Sequence, residues 1–257
     1  MAYALVTGAS KGIGKAIAYE LAKRKYDILI TARSTSQLEE VAIELREKFK
    51  VKVAVLALDL ATPEAPGKLY QWCIENGYPV EILVNNAGVG LSGSFEQIDA
   101  AKNENLLRLN IVSPTLLCQL FIPLLQKNKR SYILNVVSTS AYQSVPGLSV
   151  YSASKSYLLS LTRALHHELK NLQISVTAVS PGPTDTDWIR TANVQGKALA
   201  MASKVNMQPA DVAKIAVDAM FAGKIEVIPG MMNKAGAFFA WLLPKALIER
   251  TTAKLYQ

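Results

Sequence analysis

The apolar positions of the chain fall into short unbroken runs, separated by longer stretches with helical spacing. Runs rich in Val, Ile and Leu occur at about 2–7, 27–32, 52–58, 80–84, 131–137, 173–179 and 224–229. Helical patterns lie between them, at about 13–25, 35–49, 64–76, 98–127, 150–170 and 209–222. An unbroken apolar run is typical of a parallel strand that is buried on both faces. The pattern therefore predicts a doubly wound α/β fold.

The composition indicates one globular unit. No linker, repeat or low-complexity tract divides the 257 residues, half of which are apolar, so we expect a single domain over 1–257. Cys73 and Cys118 are too few for a disulfide framework or a metal site. The chain starts directly on a strand pattern, with no signal-peptide core, and no stretch approaches the roughly 18 apolar residues of a membrane span. We expect a cytoplasmic protein without a bound metal or a transmembrane segment.

The chain is basic, with a net charge of +8, which raises the question of nucleic-acid binding. The cations are scattered, and the two short clusters at 23–25 and 127–130 fall where helices should end. Cations at these positions complement the helix dipole. We therefore expect no nucleic-acid partner, and only a mild attraction to anionic substrates.

The loop after the first strand has the composition of a phosphate-binding turn. In an open parallel sheet, ligands bind outside the carboxyl ends of the strands. Thr7–Gly14 reads T-G-A-S-K-G-I-G and opens a helix, and its glycines allow the backbone to approach a pyrophosphate at the helix N-terminus. The spacing differs from G-x-G-x-x-G, so the glycines could also serve only the turn. The predicted contacts are Gly8, Ser10, Lys11, Gly12, Ile13 and Gly14.

The end of the second strand indicates which nucleotide binds. An acidic residue there would hold the ribose 2′-hydroxyl of NAD, but the sequence reads Ala32-Arg33-Ser34. Arg33 and Lys11 could bracket the 2′-phosphate of NADP, unless both are simply solvated. NADP(H) is therefore the expected cofactor.

Two further strand ends contribute candidate cofactor contacts. Asp59 and Leu60 follow the third strand, where Asp59 either caps the next helix or accepts a hydrogen bond from the adenine amino group. The small residues after the fourth strand would let the backbone lie close to the adenosine: Asn86, Ala87 and Gly88.

A candidate catalytic group follows the fifth strand. Tyr151 and Lys155 lie four residues apart on one helix face. A free phenol has a pKa of about 10, and a nearby ammonium favours the phenolate, which brings the hydroxyl closer to its working range. Ser138 ends the fifth strand and could hold a carbonyl oxygen beside the Tyr151 hydroxyl. Asn110 lies in the middle of the 98–127 helix, either bonded to backbone or binding a water that leads to Lys155.

Taken together, these motifs resemble the short-chain dehydrogenase/reductase family over essentially the whole chain. T-G-A-S-K-G-I-G at 7–14, N-N-A-G at 85–88, Y-S-A-S-K at 151–155 and P-G-P-T-D-T at 181–186 follow the family's order. The resemblance implies a single parallel seven-stranded sheet, a homodimer or homotetramer, and a catalytic tetrad of Asn110, Ser138, Tyr151 and Lys155. It implies that Lys155 also holds the nicotinamide ribose. The implied contacts near the nicotinamide are Pro181, Gly182, Thr184 and Thr186.

The end of the chain is similar to a bacterial subgroup of NADP-preferring reductases with no single agreed substrate. Tyr142 stands where the family usually has a small residue, which should narrow the pocket, and Trp188 is bulky for its position in the substrate loop, 183–207. The loop and the tail, 231–257, carry large apolar side chains that suit a bulky apolar ligand or an interface: Trp188, Ile189, Leu199, Met201, Met207, Met231, Met232, Phe238, Phe239 and Trp241. The tail could cover the pocket, a partner subunit or a membrane surface; we expect the first two together, with closure near Trp188.

The resulting hypothesis is an oxidoreductase that reduces a ketone or aldehyde, such as a bulky apolar or β-ketoacyl carbonyl, with NADPH. The first alternative is oxidation of an alcohol or hydroxysteroid at the same site. A non-catalytic NADP-sensing protein is the second alternative, and it predicts a damaged tetrad, whereas all four residues are present.

Overall fold

The computed structural model describes residues 2–196, 198–200 and 206–256. Met201 and the side chain of Ile189, both in the predicted substrate loop, lie outside this description.

Seven parallel strands form one sheet in the order β3-β2-β1-β4-β5-β6-β7. The strands are β1 Tyr3–Thr7, β2 Asp27–Ala32, β3 Val53–Ala57, β4 Val80–Asn85, β5 Ser131–Val136, β6 Ile174–Val179 and β7 Glu226–Val227. The order reverses between β1 and β4, which makes their carboxyl ends the switch point of the sheet. The predicted doubly wound fold is confirmed.

Helices cover both faces of the sheet. They are α1 Gly12–Lys23, α2 Thr35–Phe49, α3 Ala65–Glu75, α4 Ala100–Leu107, α5 Ser113–Leu125, α6 Ser149–Glu168, α7 Trp188–Thr191, α8 Pro209–Phe221, α9 Met231–Leu242 and α10 Lys245–Tyr256. Within β2, Ile28 and Ile30 pack with the α1 side of the core, whereas Leu29 packs with the α3 and α5 side. Burial on both faces explains why the strands are unbroken apolar runs.

The predicted helix at 98–127 is interrupted. A π-helical turn, Arg108–Val112, lies between α4 and α5. Pro114 has no N–H to give to the carbonyl of Asn110 four residues earlier, which breaks the α-helical ladder at this point. Asn110 therefore lies in the π turn and not in a regular helix.

The run Ala100–Leu125 bears on the membrane expectation. Among the described residues it is one helical run long and apolar enough to cross a bilayer by length and composition, with a mean hydropathy of 1.4. This run corrects the expectation that no stretch of the chain is long and apolar enough to span a membrane. Leu117, Phe121 and Leu125 are, however, buried in the core against the sheet, so α5 has the packing of a core helix.

The end of the chain differs most from the predicted pattern. The seventh strand, expected over 224–229, is only Glu226–Val227. The two tail helices, α9 and α10, were not predicted, because large apolar residues lie on their exposed faces and mask the helical pattern.

Candidate active site

A cleft of about 480 Å³ opens at the carboxyl ends of the strands, over the switch point. Residues from the loops after β1 to β6 line it together. It contains every predicted site residue except Gly14 and Asn110, which lie behind its wall: Gly8, Ser10, Lys11, Gly12, Ile13, Arg33, Asp59, Leu60, Asn86, Ala87, Gly88, Ser138, Tyr151, Lys155, Pro181, Gly182, Thr184 and Thr186.

The glycine-rich loop has the geometry of a phosphate cradle. Gly8 and Gly12 have φ angles of +64° and +57°, a region that favours glycine. A Cβ on Gly14 would lie 2.3 Å from the Gly8 carbonyl oxygen. Helix α1 begins after Lys11 without a side-chain cap and without an acid in its first turn, so its first N–H groups are available to an anion.

Asn86 and Thr7 fix this loop against the next strand. The Asn86 side chain donates to the carbonyls of Thr7 and Gly8, at 2.9 and 3.1 Å. The Thr7 hydroxyl donates to the Val84 carbonyl at 3.1 Å and accepts from the Asn86 and Ala87 N–H groups. Asn86 thus holds the loop in shape as well as lining the cleft.

The two cations predicted to bind a 2′-phosphate differ in their surroundings. Arg33 is exposed and lines the cleft. Lys11 forms an ion pair with Asp187 at 3.2 Å, which links the glycine-rich loop to the loop after β6. Lys11 therefore has a partner that it must release or share to contact a phosphate.

Asp59 faces the cleft but does not cap the next helix. Its carboxylate accepts from the Ala61 N–H at 3.0 Å, within the turn that follows β3, and α3 begins later, at Ala65. The helix-capping alternative is therefore wrong.

Lys155 is buried at the floor of the cleft. It is 5% exposed, and its ammonium donates to the Val136 carbonyl at 2.9 Å. Burial lowers the pKa of the Lys155 ammonium from 10.5 to about 8, because a charged group loses hydration there. The ammonium also lies 5.8 Å from the ring centroid of Tyr151, one helical turn away on α6.

Tyr151 lies between Lys155 and an apolar pocket. Its ring is 4.9 Å from the ring of Trp188, and both belong to a cluster with Leu106, Val145 and Leu148. A Cβ on Gly90 would lie 2.3 Å from the Trp188 ring, so Trp188 fits closely over a bare backbone. Trp188 lines the cleft at this position.

Ser138 and Tyr142 belong to the turn after β5. Ser138 lines the cleft, and its hydroxyl accepts from the Ser140 N–H at 3.2 Å. Tyr142 does not line the cleft. Its hydroxyl donates to Glu226, which is also paired with Arg163 at 2.7 Å. The expectation that Tyr142 narrows the pocket is therefore wrong, because its side chain is bonded to Glu226 at the start of β7.

Both the oxygen and the nitrogen of the Asn110 side-chain amide form hydrogen bonds to protein groups. Asn110 accepts from the Val89 N–H at 3.0 Å and donates to the Val89 carbonyl at 2.9 Å and to Ser154 at 3.1 Å. The backbone-bonded alternative describes this side chain. A water route from Asn110 to Lys155 stays a prediction.

The segment after β6 forms the remaining wall. Thr184 is buried, and its hydroxyl donates to the Gly182 carbonyl at 3.0 Å. Thr186 accepts from the Trp188 N–H at 3.3 Å and lies 3.1 Å from the position of a Cβ on Gly12. Thr186 thus brings this segment against the glycine-rich loop.

Sequence reasoning missed two polar residues, Asn135 in the buried sheet and Asp187 in the lining of the cleft. Asn135 links β5 to its neighbours, accepting from Asn85 at 2.9 Å and donating to Thr162 at 2.8 Å. A polar residue inside an apolar strand run is the signal that could have identified Asn135. Asp187 carries no comparable signal, because its partner Lys11 is 176 residues away.

The tail does not close over the cleft near Trp188, contrary to expectation. Within the described part of the chain, residues 231–256 contribute nothing to the lining. Instead, Asn233 packs against the backbone of Gly182, and Ala240 lines a crevice of about 240 Å³ beside the turn that contains Tyr142. The tail supports the cleft from behind.

Comparisons with known proteins agree with this arrangement. The short chain dehydrogenase profile matches residues 2–197. Human very-long-chain 3-oxoacyl-CoA reductase is 33% identical over 183 residues, which is 70% of this chain but only 58% of that protein. A short-chain dehydrogenase from Sphingobium yanoikuyae, solved with NADPH, is 28% identical and superposes with a TM-score of 0.83 over 96% of this chain and 95% of its own.

A second solved structure is the bulky-bulky ketone specific alcohol dehydrogenase from Comamonas testosteroni. It is 26% identical, with a TM-score of 0.78 over 96% of each chain. The chain therefore belongs to the short chain dehydrogenase family, whose members are oxidoreductases that act on hydroxyl and carbonyl groups.

Proposed function

We propose that this chain is a reductase that uses NADPH to convert an apolar ketone or aldehyde into an alcohol. The observation that carries the proposal is the single cleft that contains the phosphate cradle, Arg33, Ser138, Tyr151 and Lys155. We further propose that residues 1–257 act as one domain, located in the cytoplasm and assembled as a homodimer or homotetramer. Both cysteines are buried and free, which suits a reducing compartment.

The cradle fits a dinucleotide by its chemistry. Gly8 and Gly14 leave no room for a Cβ, Gly12 has a positive φ, and the uncapped start of α1 offers N–H donors to a pyrophosphate. Arg33 supplies a cation for a 2′-phosphate at the end of β2. The NADPH bound by the Sphingobium relative agrees with this preference.

The residues around Tyr151 support proton donation to a carbonyl oxygen. NADPH, when bound, supplies the hydride for the carbonyl carbon. The Tyr151 hydroxyl gives its proton to the carbonyl oxygen, and Ser138 donates a hydrogen bond to that oxygen. The Lys155 ammonium, anchored by Val136, stabilises the negative charge that the phenol acquires. Asn110 holds Val89 and Ser154 in place beside this group.

The pocket chemistry favours an apolar substrate. Beyond Tyr151, Leu148, Trp188 and Val194 line the cleft with apolar surface, which suits a hydrocarbon flank on the carbonyl. The human and Comamonas relatives are named for a very-long-chain 3-oxoacyl-CoA and a bulky-bulky ketone. We therefore propose a bulky apolar ketone or a β-ketoacyl thioester as the substrate class.

A substrate screen tests this function. The purified chain is mixed with NADPH or NADH and with small ketones, bulky aryl or alkyl ketones, aldehydes and β-ketoacyl thioesters, and cofactor oxidation is followed. We expect turnover with NADPH and a higher kcat/KM for the bulky apolar carbonyls. Turnover only of alcohols with NADP would favour the oxidative alternative. NADPH binding without turnover of any carbonyl or alcohol would contradict the proposal.

A further inference from the structure

Helix α9 is oriented with its large apolar residues outward. Asn233, Ala237 and Ala240, spaced along one face, are half-buried toward the protein, and no residue of the helix is fully buried. Met231 and Trp241 are 79% and 77% exposed. The remaining outward apolar residues are Met232, Phe238, Phe239 and Leu242. A helix whose outer face is in contact with water normally carries polar residues on that face and apolar residues on the face toward the protein.

Cations are exposed on both tail helices, Lys234 on α9 and the others on α10. The inner side of α10 carries Ile248 and Thr252, whereas Leu247, Arg250 and Lys254 are exposed. The full tail contains four cations, which are Lys234, Lys245, Arg250 and Lys254, and one acid, Glu249. All four cations are exposed, and Glu249 is half-buried. The exposed positions of the tail are therefore both apolar and positively charged.

Charge complementarity decides between the possible occupants of this face. A second copy that binds through the same surface would bring two positively charged tails together, with only Glu249 on each tail to offset the charge. The phosphates of an anionic bilayer are complementary to the cations, and its headgroup–acyl boundary accepts aromatic and Met side chains. Trp side chains are enriched at that depth.

We propose that the tail helices bind the surface of an anionic phospholipid bilayer. The outer face of α9 lies in the headgroup–acyl boundary, and Arg250 and Lys254 contact headgroup phosphates. Asn233 packs against Gly182 of the cleft, so the bound bilayer lies behind the wall that carries the cofactor segment. This interaction does not depend on the proposed reductase reaction, because its residues do not line the cleft.

Vesicle co-sedimentation of the full chain tests the apolar contribution. The vesicles contain phosphatidylcholine alone or phosphatidylcholine mixed with phosphatidylglycerol. We expect binding to the mixed vesicles, and at least about tenfold weaker binding for the double variant Phe238→Ser, Trp241→Ser, because each large apolar side chain contributes strongly to partitioning. Ile43→Ser is the matched control, since Ile43 is an exposed apolar residue on α2, and it should bind like the unmodified chain. Circular dichroism melting confirms that each variant is folded.

A second pair of variants tests the charge. Arg250→Glu, Lys254→Glu should abolish binding to mixed vesicles, whereas Lys127→Glu, Lys129→Glu, with the same change in net charge, should retain it. Three results would overturn the proposal. They are binding of the unmodified chain to neutral vesicles as strongly as to mixed ones, binding of the unmodified chain to neither, and an equal loss of binding in the two charge-reversed variants. Light scattering provides a further test. A dimer that does not bind vesicles and that dissociates in the double variant Phe238→Ser, Trp241→Ser would also overturn the proposal, because a second copy would then cover the face.

Discussion

Replacing Lys155 by Met should stabilise the protein while it abolishes turnover. Burial lowers the pKa of the Lys155 ammonium from 10.5 to about 8, which corresponds to a cost of about 3 kcal/mol for holding the charge in the folded state near neutral pH. Met has a similar length and no charge. The variant loses the bond to the Val136 carbonyl, worth about 1–2 kcal/mol. The net gain in the free energy of unfolding is therefore about 1–2 kcal/mol, or roughly 2–8 °C in Tm.

The pH dependence of this gain is the sharper test. Below pH 8, Lys155 is protonated in both the folded and the unfolded chain, so the cost is constant. Between about pH 8 and 10.5 the unfolded chain holds more of this proton than the folded chain, and the stability of the unmodified protein rises with pH. The advantage of Lys155→Met should therefore shrink across that window.

Chemical denaturation of both proteins at several pH values measures this difference, and contributions from titrating groups that do not interact with Lys155 cancel in it. A difference that stays constant from pH 7 to 10.5 would refute the assignment of Lys155 as a charged, desolvated group. A destabilised variant at pH 7 would show that the Val136 bond outweighs the desolvation.

Three further predictions concern the cleft. Tyr151→Phe should lower kcat by about 10²–10⁴-fold with little change in the NADPH Kd, measured by cofactor fluorescence; substantial residual turnover would contradict proton donation. Arg33→Asp should weaken NADPH binding about tenfold or more and leave NADH binding less affected; equal losses for both cofactors would exclude a 2′-phosphate contact. Trp188→Ala removes the ring that covers Gly90 and Tyr151, so KM should fall for bulky ketones and rise for small ones; parallel changes in steady-state KM across the series would contradict a steric role.

Periodicity and strand-end chemistry predicted the sheet and most of the cleft. Unbroken apolar runs identified all seven strands, because both faces of a parallel sheet are buried, and the loops that follow the strands meet at one edge. Helical spacing alone was enough to predict that Tyr151 and Lys155 lie on one face of α6.

The remaining features depend on contacts that local patterns do not encode. Lys11, after β1, meets Asp187, after β6, and Tyr142, after β5, meets Glu226 in β7. Only the assembled sheet brings these distant parts of the chain together. The π turn at Asn110 follows from the missing N–H of Pro114, a cause visible in the sequence but easily lost within a long apolar helix. The tail was misread because apolar residues usually indicate burial, whereas here they are exposed.

The central claim, that this cleft transfers hydride from NADPH to a carbonyl with Tyr151 as the proton donor, is tested most directly by isotope transfer. The chain is incubated with NADPH deuterated at the transferable position and with the best ketone from the screen, and the alcohol is analysed by mass spectrometry. We predict one deuterium on the carbinol carbon for the unmodified protein, and a rate of labelled alcohol formation about 10²–10⁴-fold lower for Tyr151→Phe. An unlabelled alcohol, or equal labelled product from Tyr151→Phe, would contradict the account.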